Sequence, residues 1–215
     1  MSSPLNLLLL CAALLTSCGE RTASLSSTMS LNQTIELDAA FDRLEMVLQK
    51  KAPKLYASLS SGASEEEIEK LRSCLGGNRV EALERWFSRH NGATEELLPS
   101  GLPIEIDRSI EDLRILQTIP FVPEIRRNAV KILCDSAGDG FFVDVNTDTP
   151  LVFHHILEDP ENPVWFGTLA EFVNYIATGF ESGVFYQSED GKFAHDESGY
   201  EDMMDNYLHL ASRWN

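Results

Sequence analysis

Hydrophobic positions along this chain recur first with a helical period and later with a strand period. Leu37, Phe41, Leu44 and Leu48 fall at i, i+4, i+7 and i+11, which places them on one helical face. Pro53 stops that helix soon after. Ser64-Glu65-Glu66-Glu67 is a capping box that opens a second helix, with Ile68, Leu71 and Leu75 inward and Gly76-Gly77 as its exit. Asn78 is expected to cap a third, with Val80, Leu83 and Phe87 aligned and Asn91-Gly92 at its end. Ser109 is expected to cap a short helix through Leu116.

The period then changes. Val130–Cys134, Phe141–Val145 and Leu151–Ile156 are short apolar runs bounded by Gly, Asp and Asn, as strands are. Their connections, including the turn-rich Asn146 to Pro150, are too short for parallel crossovers, so a meander is expected. Thr168-Leu169-Ala170-Glu171 is another capping box, and Leu169, Phe172, Val173, Ile176, Ala177 and Phe180 follow at helical spacing. A last helix from about Tyr200 to Trp214 aligns Tyr200, Met203, Met204, Tyr207, Ala211 and Trp214 on one side. That stripe is read as packing on the domain, because exposed Tyr, Met and Trp together form an aggregation-prone patch. There is no internal repeat.

The N-terminus precedes all of this with a different pattern. Leu5 to Leu15 holds only Leu, Ala and Cys apart from Asn6. That is long enough for a secretory apolar region and too short to span a membrane. Leu15-Thr16-Ser17-Cys18 resembles the lipobox of bacterial lipoproteins, which implies cleavage before Cys18 and a diacylglyceryl group on its thiol. Lipid attachment at Cys18 implies an extracytoplasmic protein anchored to a bacterial membrane. Gly19 rather than Asp after the Cys resembles sorting to an outer membrane where the source has one. The expected organisation is a signal peptide over 1–17, a flexible Ser/Thr-rich tether over 18–34, a domain over 35–186 and an acidic extension with a helix over 187–215.

Composition narrows the partners. With 34 acidic and 17 basic residues the net charge is −17, which opposes nucleic acid and anionic lipid headgroups and favours basic protein partners or plain solubility. Apolar content of 43% supplies a sizeable core. Once Cys11 leaves with the signal and Cys18 carries lipid, Cys74 and Cys134 remain, in a compartment that permits disulfides. They are either two free thiols or one bridge.

Motifs for chemistry are weak. Asp135-Ser136-Ala137-Gly138-Asp139-Gly140 begins like a calcium loop, but position 3 is Ala137 and position 12 is Asn146, so an EF-hand is excluded. A tight turn is expected instead, with Gly138 or Gly140 at positive φ and Asp139 accepting from backbone amides. His154 and His155 are adjacent on a strand and therefore point to opposite faces. Gly179-Phe180-Glu181-Ser182-Gly183 puts its serine one place late for a nucleophile elbow and follows a helix. No metal, cofactor or catalytic set is expected. Asp135, Asp139 and Asp144 are the candidate partner contacts.

The ordered pieces resemble the Smi/Knr cell-wall-regulator family of the SUKH superfamily. The likeness is carried by Gly62-Ala63-Ser64-Glu65-Glu66-Glu67-Ile68, His90-Asn91-Gly92, Pro123, the Gly138-Asp139-Gly140 entry into Phe141 to Asp144, and the Thr168 to Phe180 helix leading to Val184-Phe185-Tyr186. It covers about residues 36–186. It implies an α+β fold, a mostly antiparallel sheet packed against helices, and a protein-binding role without catalysis. Many bacterial members look like immunity proteins that neutralise toxins, so a basic toxin domain is one expected partner. An envelope scaffolding or housekeeping lipoprotein is the alternative, and an envelope hydrolase the least favoured.

Overall fold

The computed structural model describes residues 30–99, 101–118, 129–145, 151–155 and 164–211. The lipobox with Cys18, the segment around Pro123, the turn from Asn146 to Pro150, and Trp214 lie outside these residues.

Seven helices and seven strands form an α+β fold among the described residues. The helices are α1 (Leu31–Lys51), α2 (Pro53–Ser58), α3 (Glu65–Cys74), α4 (Glu81–Arg89), α5 (Ile106–Thr118), α6 (Leu169–Ser182) and α7 (Glu197–Ala211). Strands β1 (Leu102–Pro103), β2 (Ala129–Cys134), β3 (Gly140–Asp144), β4 (Val152–His155) and β5 (Val164–Phe166) build one sheet in the order β1-β2-β3-β4-β5. Every neighbouring pair is antiparallel, so the expected meander is present and is extended by one short strand at each edge. Strands β6 (Phe185–Gln187) and β7 (Phe193–His195) make a separate hairpin.

Alternation along the strands divides the sheet into two faces. Val130, Ile132, Phe141, Val143, Val152 and Phe166 join the main core. They meet Leu37, Phe41, Leu44 and Leu48 of α1, Phe87 of α4 and Phe172 and Ile176 of α6 there. Phe172 contacts both Phe141 and Phe166, at ring separations of 4.9 and 5.2 Å. On the other face Ala129, Phe142 and Phe153 form a second cluster against which Leu116 of α5 packs. Strand β3 is buried along its whole length, which is why its residues read as a continuous apolar run.

The capping boxes at Ser64 and Thr168 form as expected, each side chain accepting from the N3 amide. Two caps differ from expectation. Asn78 closes the turn that follows Gly77, its N–H donating to Leu75, and Val80 precedes α4 with no side-chain cap. Ser109 lies inside α5, its Oγ 2.6 Å from the Lys131 carbonyl, and Asn91 accepts from the Ile106 N–H at the start of that helix. A Ser hydroxyl satisfied by a neighbouring strand has no need of a helix end.

Helix α1 begins at Leu31, four residues inside the segment expected to be tether, behind a capping box of Ser30 and Gln33. Beyond Tyr186, Phe193, Tyr200, Met203, Met204 and Tyr207 pack against the main core. Tyr207 meets Tyr175 edge-on at 4.7 Å, so the aromatic stripe of α7 is used for packing as expected.

Candidate functional site

The candidate site lies where β2 turns into β3. Asp135 Oδ1 accepts from the N–H groups of Ala137, Gly138 and Asp139 at 2.8, 2.9 and 3.0 Å. The Asp135 N–H in turn donates to the Asp139 carbonyl at 3.0 Å. Asp135 therefore holds the turn, because its position before the bend lets one oxygen collect successive amides. Gly138 carries the positive φ, +100°. Gly140 serves differently: a Cβ there would sit 2.1 Å from the Leu133 carbonyl oxygen, so only glycine permits the strand pairing. Lys131 Nζ donates to the Gly138 carbonyl from below, and it also pairs with Asp112 of α5 at 3.1 Å.

A second acidic element joins this turn. Leu98 and Gly101 close a small bridge before β1, whose Leu102 pairs with Cys134 at the end of β2. That pairing brings the Glu95-Glu96 loop beside the turn. Burial raises the Glu96 carboxyl above the usual carboxylate range, and the like charges of Asp135 and Glu95 push it further; His195 of β7 opposes them. Among the described residues no salt bridge reaches Glu95, Glu96 or Asp135. The result is an acidic ledge in which Asp135 and Glu95 both act on the Glu96 carboxyl. Such a ledge concentrates cations and steers a basic surface toward itself.

The expected contacts fare unequally. Asp135 and Asp139 share the turn. Asp144 ends β3 and is 5% exposed, so a partner approaching the surface does not meet it; strand alternation directs it into the sheet. Cys74 and Cys134 are two free, half-buried thiols rather than a bridge, one closing helix α3 and the other strand β2. Burial pushes the Cys134 thiol up, which disfavours the thiolate that exchange requires.

His154 and His155 do face opposite ways. His154 stacks on Phe141 of the main core at 4.6 Å, and His155 lies against Phe142 of the second cluster at 5.7 Å. Burial pushes the His154 imidazole down, toward its neutral form. Among the described residues no group of three or more His, Cys, Asp or Glu side chains could hold a metal ion.

Sequence reasoning missed Glu95 and Glu96. They sit in a loop with no hydrophobic period, and the β1 strand that carries them to the turn has only two residues. Adjacent acids were the available signal, in a chain where acids abound. An open cleft of about 500 Å³ between α3 and α5 also has acidic walls, but its Glu65 and Glu69 are tied to Arg72. Comparisons of the chain with protein-family models and with curated proteins give no match.

Proposed function

We propose that this chain is a lipid-anchored, extracytoplasmic binding module of SUKH type, which holds a basic protein at the acidic ledge and performs no chemistry on it. The observation that carries the reading is the ledge of Glu95, Glu96 and Asp135. Glu96 lies beside Asp135 and Glu95 with no salt bridge among the described residues, an arrangement that a cationic partner relieves. In the helical layer, by contrast, arginines pair with Asp38, Asp42, Glu45, Glu84 and Glu181. The family likeness adds a protein-binding expectation, and the lipobox at Cys18 adds the membrane anchor. Immunity against a toxin that acts in or crosses the envelope is the sharper form of this reading.

Capture from envelope extracts under toxin-producing conditions tests it. The intact protein should recover a basic protein that the Glu95→Lys, Glu96→Lys double variant does not. Recovery of the same proteins by both, or of none by either, overturns the reading.

A further inference from the structure

Helix α1 is apolar on two opposite sides. Leu37, Ala40, Phe41, Leu44 and Leu48 form the buried side. At 100° per residue, Leu31, Ile35, Ala39 and Met46 line the side directly away from it, over about 22 Å of helix. All four are exposed, Leu31 at 75%, Ile35 at 57% and Met46 at 65%. An ordinary surface helix carries charges there.

Two acids at this ridge are paired, while Glu36, next to Ile35, is exposed with no salt bridge among the described residues. Asp42, the one acid within it, pairs with Arg89, which also binds Glu45. Asp38 beside it takes both oxygens to Arg85 at 2.8 Å. The first turn of α1 holds no acid, and Lys50 and Lys51 lie in its last turn. In a chain of net charge −17 this strip combines apolar exposure, two arginine-paired acids and a cationic end.

We infer that the outer face of α1 rests on the membrane surface, lying flat with Leu31, Ile35 and Met46 at the boundary between headgroups and acyl chains. The inference rests on the lipid-anchor reading of Cys18. What selects a bilayer over another occupant is where the helix starts: only the eleven residues Gly19 to Met29 separate Cys18 from the Ser30 cap. Eleven residues reach at most about 40 Å however they are arranged, so an anchored chain keeps the start of α1 near the bilayer at high effective concentration. The acidic ledge lies on strands and loops distinct from α1, so the two surfaces do not compete for the same residues.

Met46 supplies the readout. The full-length protein, exported and recovered in vesicles of phosphatidylethanolamine with a minority of phosphatidylglycerol, is exposed to dilute peroxide, and sulfoxide is quantified per methionine by mass spectrometry. Oxidation of Met46 should slow severalfold relative to Cys18→Ser protein in solution, while Met203 and Met204, packed against the core, keep their rates. Ile35→Glu should restore the Met46 rate in protein that stays vesicle-bound and keeps its circular dichroism. A lipid-bearing chain whose Met46 oxidises equally fast on vesicles sinks the docking and leaves the anchor intact. A chain of unmodified mass that stays out of the membrane fraction sinks the anchor and the docking with it. Concentration-dependent protection of Met46 without vesicles would show a second copy on this face and overturn the inference.

Discussion

The helical layer and the strand-turn ledge handle negative charge in opposite ways. In the helical layer Asp38, Glu45, Glu81, Glu84 and Asp112 each have an arginine. Glu84, 6% exposed, receives Arg72 through two nitrogens at 2.9 and 2.8 Å and Arg79 at 3.1 Å. Its burial pushes the carboxyl up, but the two guanidiniums outweigh that and hold it below the usual range. Arg43 of α1 likewise grips Glu181 of α6, and this bond holds the Glu181 carboxyl down. On the ledge, Asp135 has only backbone amides and Glu96 has neighbours of its own sign. Paired charge fixes how helices sit against each other.

Removing one member of the paired set should have the largest effect. Arg72→Met leaves Glu84 buried with Arg79 alone, and urea unfolding should report a loss of about 2–3 kcal/mol. That is the low side of the range for a broken buried pair, because Arg72 is itself a fifth exposed. Asp135→Ala comes next. It strips acceptors from three turn amides, and the same measurement should show a loss of about 1–2 kcal/mol. An equal loss from Ser136→Ala, a neighbour with no bond of this kind, would blur the comparison.

Charge reversal on the ledge should act on binding rather than on folding. Glu95→Lys with Glu96→Lys should leave unfolding within about 0.5 kcal/mol of the parent. Association with a basic partner should slow about tenfold at low salt, and the slowing should vanish at high salt. Stopped-flow rates across ionic strength check this.

The smallest effect concerns pH. A carboxyl whose folded pKa is raised binds its proton more tightly in the native state. Its stabilising effect is therefore present below the unfolded pKa and is lost as pH rises through the folded one. Glu96→Gln should gain a little stability at neutral pH, and the gain should disappear in acid. Glu67 and Glu181 run the other way: their carboxyls are held low, Glu67 chiefly by the Ser64 amide. Their contribution is present above the unfolded pKa and is lost as pH falls through the folded value. Unfolding curves across the carboxylate range separate the two signs.

How far the sequence led depended on the range of the interaction. Capping boxes at Ser64 and Thr168, the buried face of α1 and the three central strands were legible, because each is set by residues within a few positions of one another. Asn78 and Ser109 misled because Asn and Ser mark turns and helix ends alike, and their partners, Leu75 and Lys131, decide which. The edge strands β1 and β5, of two and three residues, are too short to show a period. The ledge depends on one of them. Asp135 was singled out from its motif, but its neighbours Glu95 and Glu96 come from some forty positions upstream, a distance no local pattern spans.

The grip of α1 on α6 reaches across most of the chain: Arg43 and Glu181 are 138 positions apart. Contacts of such long separation make for slow folding, since a large loop must close before they form. Helix α1, synthesised early, would wait uncovered until α6 has been made. A protein built this way commits to its native form late in its own synthesis.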